Sequence, residues 1–229
     1  MSFRAVIFDW RGTLVTTPSE SAWIHRSLSL LGRPTDRVDS VSAAIRSASG
    51  PEDRLEAPGV DSDAELHRHT YLDVFRDAGL DEELAEALYA VESDARHNPF
   101  AVDVADTLHS LHAGGVRIAV LSDIHFDIRP AFAAAGLVDL VDVFALSFEQ
   151  GIQKPDPRMF HRTLAALEVT VEQALMVGDR SGPDGAAVEQ GITTLLLPPL
   201  TSVDQTRLHG VLALCPAARR TPATAPVPS

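Results

Sequence analysis

The residues best placed to do chemistry stand directly after apolar runs. In "FDWRGTL", residues 8–14, Asp9 closes the run Ala5-Val6-Ile7-Phe8 and the chain turns at once on Gly12. A buried parallel strand delivers a single acidic side chain to a crevice in this way. Asp9 is therefore the candidate for the chemistry. Two residues on stands a cation, Arg11. Three further signals share the same placement. Ser122 follows Val116 to Leu121, Lys154 lies in "GIQKPDP", and "GDRSGPD" brings Asp179 and Asp184 after Ala174 to Val177. Lys154 is the only lysine among 19 basic residues. It offers a compact, rotatable ammonium where every other cation is a broad planar guanidinium.

These residues need a sheet edge to collect them. Phe3 to Phe8, Val116 to Leu121, Ala174 to Val177 and Ile192 to Leu197 read as buried parallel strands, with a weaker fifth at Val141 to Leu146. From residue 116 they alternate with helical patterns at Phe126 to Ala135, Arg158 to Leu167 and Asp184 to Gln190. Such alternation predicts an α/β fold, a doubly wound parallel sheet with helices on both faces. Residues 16–97 read differently, as helices over Ser19 to Leu31, Thr35 to Ser47, Asp61 to Ala78 and Asp81 to Arg96, separated by Gly and Pro breaks. The expected organisation is a core of 1–15 and 98–215, an inserted α-helical cap of 16–97 lying over the carboxyl ends of the strands, and a disordered Pro/Ala/Thr-rich tail of 216–229.

Composition narrows the partners. The 229 residues are 45% apolar, ample for a globular core, and the net charge of −13 disfavours nucleic acid and anionic membrane surfaces. A small anionic substrate would need a local positive pocket. Cys215 is the only cysteine, so no intrachain disulfide forms, and neither a signal-peptide pattern nor a membrane-length apolar segment is apparent. The expectation is a soluble, cytoplasmic protein.

The stretches "FDWRGTL", "VRIAVLSD", "IQKPDPRMF" and "LMVGDRSGPDGA" resemble, in order, the four motifs of the haloacid dehalogenase superfamily. The resemblance implies a Rossmann-like core with a helical cap inserted after the first strand. It implies Asp9 as nucleophile on phosphorus and Ser122 and Lys154 as the phosphoryl clamp, with Gly12 and Asp123 beside them as substrate-binding positions. The same resemblance implies a Mg²⁺ site of Asp9, Asp179 and Asp184 with a backbone carbonyl of the first loop at Arg11. Physical chemistry agrees, because a hard Mg²⁺ takes carboxylate and carbonyl oxygens, and metal plus ammonium would let an anionic carboxylate approach an anionic substrate. Asp184 could equally cap the helix that follows it.

Phosphatases that resemble this chain usually carry a second aspartate at the Arg11 position, and arginine cannot serve as acid or base near neutral pH. The reading is a Mg²⁺-dependent phosphohydrolase acting on a small phosphorylated metabolite through an aspartyl-phosphate, with activity on ordinary phosphomonoesters impaired. Two alternatives stand beside it, a 2-haloacid dehalogenase-like hydrolase and a phosphate-binding regulatory protein without turnover. Among the histidines, His67 and His69 point to different helix faces and do not form a chelating pair. His109 and His112 complement a helix C-terminus, and His125 near the site is read as structural. Glu20 and Trp23 follow the first loop closely enough to face the cleft, although Trp23 suits a packing role better.

Overall fold

The computed structural model describes residues 3–216. Five parallel strands form one sheet in the order β3-β2-β1-β4-β5, with β1 (Ala5–Phe8) in the middle, β2 (Arg117–Ser122) and β3 (Val143–Leu146) on one side, and β4 (Ala174–Gly178) and β5 (Thr193–Leu196) on the other. All four expected strong strands and the weaker fifth are present, most of them shortened by a residue or more.

The doubly wound character follows from the alternation of side chains along each strand. Val6 and Phe8 of β1, Ile118 and Val120 of β2, and Leu175 and Val177 of β4 share one core with helices Val104–Ala113, Arg129–Ala134 and His209–Leu214. Ala5, Ile7, Ala119, Leu121, Ala174 and Met176 face the other way, onto Met159, Phe160 and Leu164 of the helix Pro157–Ala166. Phe8 pairs in register with both Val120 and Val177, so β1, β2 and β4 end within two residues of one another at the same edge. That shared edge is where Asp9, Ser122 and the 179–184 loop emerge.

Between β1 and β2 the chain builds a helical module with an apolar core of its own. Helices α1 (Glu20–Leu30), α2 (Val38–Ser49), α3 (Ala64–Asp77) and α4 (Glu82–Glu92) contribute Ile24, Leu28, Ile45, Val74, Phe75, Leu84 and Leu88 to it. Ser19, Asp63 and Asp81 cap α1, α3 and α4 by accepting from backbone N–H groups two or three residues into each helix. The helix expected over Asp61 to Ala78 starts later, at Ala64, because Asp63 takes the cap. Asp61 then lies in a single 3-10 turn, Val60–Ser62. The helix expected to run to Arg96 stops at Glu92, and a separate turn, Ala95–His97, is capped by Asp94. The module rejoins the core through two adjacent segments, with Thr16 N–H donating to the Pro99 carbonyl and Ala101 N–H to the Leu14 carbonyl, both at 3.0 Å.

The expected helix Asp184 to Gln190 is a 3-10 helix, Gly185–Gln190. The expected disordered tail falls, from 217 onward, outside the described residues. Among those residues no helix is long and apolar enough to cross a membrane.

Candidate active site

Asp9 is positioned by the sheet itself, its backbone N–H donating to the Val177 carbonyl at 2.8 Å as a continuation of the β1 and β4 pairing. Its carboxylate is buried and engaged on both oxygens. Oδ1 accepts from the Lys154 ammonium at 2.7 Å, and Oδ2 accepts from the Thr13 hydroxyl at 3.1 Å. The same Thr13 hydroxyl lies 3.3 Å from Asp179 Oδ1 and so ties the two acids together. Lys154 also donates to Asp184 Oδ1 at 2.6 Å and to the Leu121 carbonyl at 3.2 Å. The single lysine of the chain is therefore the hub of the site, 1% exposed and bonded to two carboxylates.

The charges shift as this packing demands. Burial alone would lower Lys154, but Asp9, Asp184 and Asp123 around it outweigh burial and hold it an ammonium. Burial pushes Asp9 upward against the pull of Lys154, with Asp184 and Asp179 adding to the rise. Asp179 moves up for the same two reasons, burial first and the Asp184 charge second. Asp9 and Asp179 rise because the acids here are crowded beyond what one ammonium neutralises.

Asp9, Asp179 and Asp184 present oxygens that lie within 4.8 Å of one another. These are hard donors only, the set that suits Mg²⁺. The backbone has been shaped to allow the approach. Gly12 turns at φ +81°, and a Cβ there would fall 2.7 Å from the Asp179 carboxyl carbon. Asp184 does not cap the helix after it. Its Oδ2 accepts from the backbone N–H groups of Asp179 and Arg180 at 3.1 and 3.0 Å, which fixes the loop that presents Asp179.

The other expected site residues fall as follows. Ser122 ends β2 at the same edge and is buried. Asp123 is occupied structurally, its Oδ1 accepting from the Lys154 backbone N–H at 2.8 Å, so it holds the loop that carries the ammonium. Arg11 leaves the acidic cluster. Its two terminal nitrogens donate to the side chain and the main-chain carbonyl of Glu92, the latter at 2.8 Å, and one of them reaches Asn98 Oδ1 at 3.3 Å. Trp23 packs in the module core and donates its indole N–H to the Leu88 carbonyl at 2.8 Å. Glu20 is held by Ser42 and Arg46 of α2.

Several site residues carry no signal in the sequence by themselves. Thr13 looks like an ordinary turn residue, and only the meeting of β1 with the 179–184 loop gives it two acids to bridge. Arg180 stands between the core and the module, 3.8 Å from Asp123 Oδ2 and 3.6 Å from Glu56 Oε2. The turn at 59–61 docks on the loops after β3, with Gly59 N–H donating to Gln153 Oε1 at 2.9 Å and Ser147 Oγ donating to the Asp61 carbonyl at 2.6 Å. A cavity of about 420 Å³ opens in the module, lined in part by Trp23, Arg46, Tyr71, Glu56 and Glu92.

Comparison with known proteins places this geometry. The haloacid dehalogenase-like hydrolase family matches residues 3–190. A ribulose-1,5-bisphosphate 5-phosphatase of Halopiger xanaduensis is 36% identical over 106 residues, which is 45% of this chain and 44% of that protein. A phosphoserine phosphatase of Thermus thermophilus is 35% identical over 103 residues, 44% of this chain and 40% of the relative. The matched stretch spans less than half the length of either curated relative. A dehalogenase crystal structure superposes with a TM-score of 0.65 over 93% of this chain and 97% of its own at 21% identity, a likeness of fold.

Proposed function

The chain belongs to the haloacid dehalogenase-like hydrolase family, and from that membership we propose that it is a Mg²⁺-dependent phosphohydrolase whose substrate is a small phosphorylated metabolite. The observation that carries this reading is the convergence of Asp9, Asp179 and Asp184 around Lys154 at the carboxyl edge of the sheet. Attack on a phosphoryl group brings one anion against another and needs concentrated positive charge, whereas displacement of halide from carbon does not. An oxygen-only acidic trio kept in addition to the lysine favours the phosphoryl reaction over dehalogenation.

In this reading Asp9 and Asp179 would hold Mg²⁺ directly, with Asp184 fixing their loop and supplying a further oxygen. The ion, when bound, supplies Lewis-acid neutralisation of phosphoryl oxygens. Lys154 orients the Asp9 carboxylate through Oδ1 and faces the incoming phosphoryl charge, and Thr13 holds Oδ2. Asp9 attacks phosphorus, the ester oxygen leaves, and water hydrolyses the resulting acyl phosphate on Asp9. Residues 16–97 act as a cap, since the turn at 59–61 and Glu56 close over the loops that carry Lys154 and Arg180.

No side chain acid stands at the Arg11 position, so the leaving oxygen departs without a proton from it. General acid catalysis is worth about 10² to 10⁴ in rate, which sets the preference for leaving groups that are stable as anions. The test is phosphate release from acetyl phosphate, p-nitrophenyl phosphate and alkyl phosphates with and without Mg²⁺. Turnover is expected on the first two, dependent on Mg²⁺ and abolished in Asp9→Asn. Release of halide from 2-haloacids without phosphate release, or binding of phosphate without turnover, would overturn the reading.

A further inference from the structure

A second group of ligating side chains lies where the module meets the core, apart from the acidic trio. Asp61 comes from the turn 60–62 and His67 from α3, both in the module, and His125 comes from the loop after β2. Asp61 Oδ1 lies 3.7 Å from His67 Nε2 and 3.7 Å from His125 Nδ1. The two imidazoles are stacked at a centroid separation of 3.3 Å and 10° between planes. Both rings are at least 97% buried, at 1% and 3% exposure.

The contacts at the far side of each ring set what faces inward. His125 Nε2 meets Ser93 Oγ at 2.8 Å, and His67 Nδ1 meets the Tyr89 hydroxyl at 3.3 Å. Ring nitrogens that ligate a metal commonly have the opposite nitrogen on an outer oxygen, which selects the tautomer. When those outer nitrogens carry the protons, three acceptors lie together with no donor among them. The other tautomers give no relief, since 3.7 Å is too long for a hydrogen bond to Asp61. His125 Nδ1 is buried without a hydrogen-bond partner. An unpaired buried polar atom is costly, and burial keeps both imidazoles below the usual histidine range, so a proton does not fill the gap.

We propose that Asp61, His67 and His125 form a site for a borderline divalent transition ion of the Zn²⁺ class, bridging the helical module to the core. The spacing suits it. Two ligand atoms 3.7 Å apart, each about 2.1 Å from an ion, subtend roughly 120°, within the range of a four-coordinate centre. A set of two imidazoles and one carboxylate selects Zn²⁺ and its neighbours over Mg²⁺. Loading would turn the rings out of parallel, pivoting about their contacts with Ser93 and Tyr89, so that each in-plane lone pair meets the ion. Arg11, whose charge acts on all three groups, is held by Glu92 and so opposes the ion less than a free guanidinium would. With ligands from both sides of the boundary, the ion staples the module over the active site. This site is independent of the phosphohydrolase reading.

The test uses the full-length protein, stripped with chelator and titrated with Co²⁺ in excess Mg²⁺, which occupies the acidic trio. One equivalent of Co²⁺ is expected to give intense visible ligand-field bands of low coordination number, and to shift two histidine ring signals in the proton NMR spectrum. Asp179→Asn should keep both signals, while Asp61→Ala and His67→Ala should weaken Co²⁺ binding at least 100-fold. The NMR readout on the unmutated protein stands even where a variant fails to fold. Absence of shifted histidines, or loss of the bands in Asp179→Asn with retention in folded His67→Ala, would overturn the proposal.

Discussion

Arg11 is bonded to Glu92 through both terminal nitrogens, one to the carboxylate and one to the main-chain carbonyl, across 81 positions of sequence. Glu92 is the last residue of α4 and Arg11 the second residue after Asp9, so this pair ties the module directly to the loop after β1. Burial alone would lower the guanidinium, but Glu92 more than reverses it, and the cation is permanent.

The first expectation concerns that tie. The two side chains are 23% and 17% exposed, between surface and interior. A double-mutant cycle of Arg11→Met and Glu92→Gln, followed by urea unfolding, should return a coupling of about 1–3 kcal/mol. A coupling near zero would show the contact to be incidental.

Restoring an acid at this position is harder than the sequence alone implies. Arg11→Asp sets a second carboxylate against Glu92, so the single variant should lose stability and show little gain in rate. Arg11→Asp combined with Glu92→Gln removes the repulsion and should raise kcat/KM for alkyl phosphates by roughly 10-fold or more, with much less effect on p-nitrophenyl phosphate. Equal gains for both substrate classes would mean that the new carboxylate is not donating a proton to the leaving group.

Lys154 separates Asp9 from Asp184 at 2.7 and 2.6 Å, so Lys154→Met should leave two buried carboxylates without a counter-charge. In chelator the unfolding free energy should fall by about 3–5 kcal/mol. Added Mg²⁺ should raise the Tm of the variant more than that of the wild type, since the ion takes over neutralisation. Phosphatase activity should drop at least about 10²-fold whatever the Mg²⁺ level. Equal Mg²⁺ increments in Tm for both proteins would contradict the charge argument.

Gly12 and Gly32 both sit at positive φ, +81° and +64°, but only Gly12 has a neighbour, the Asp179 carboxylate, in the space of the missing Cβ. Gly32→Ala should cost about 1 kcal/mol of backbone strain and leave Mg²⁺ affinity intact. Gly12→Ala should cost more and weaken Mg²⁺ binding in calorimetry. Identical Mg²⁺ isotherms would separate Gly12 from the acidic site.

Cys215 is fully buried in the core, and burial pushes its thiol from 9.0 up to about 11. Below pH 9 both states hold the proton and the group is neutral in the balance. Between pH 9 and 11 the unfolded chain releases it first, so stability falls as pH rises, by at most about 1.4 kcal/mol per unit. Denaturation at pH 8 to 10.5 should show this decline in the wild type and a shallower one in Cys215→Val. At pH 8 the native thiol should resist alkylation. Fast labelling of the native protein would place Cys215 outside the core.

Local order was plain in the sequence. Short apolar runs, each ended by an acid, a serine or a turn, determined the strands and the residues that emerge from them, because period and turn chemistry act over a few neighbours. Asp9 at the end of β1, and Asp179 and Asp184 after β4, follow from that alone, as does a helical insertion between the first two strands. Tertiary structure decided the partners. The sequence placed Arg11 beside Asp9, but its guanidinium turns to Glu92, which nothing within a helical turn of either residue could indicate. Sequence spacing pairs His67 only with His69, two residues on, yet its ring lies on His125 of the core loop. In the sequence Asp184 reads as a metal-site acid with a helix cap as the lesser alternative, and the Lys154 loop brought beside it by the parallel sheet decides where its oxygens point. Ion pairs and ring stacks form between whichever side chains packing brings within a few ångströms, and the burial of the apolar faces, not the spacing of polar residues along the chain, sets those neighbours.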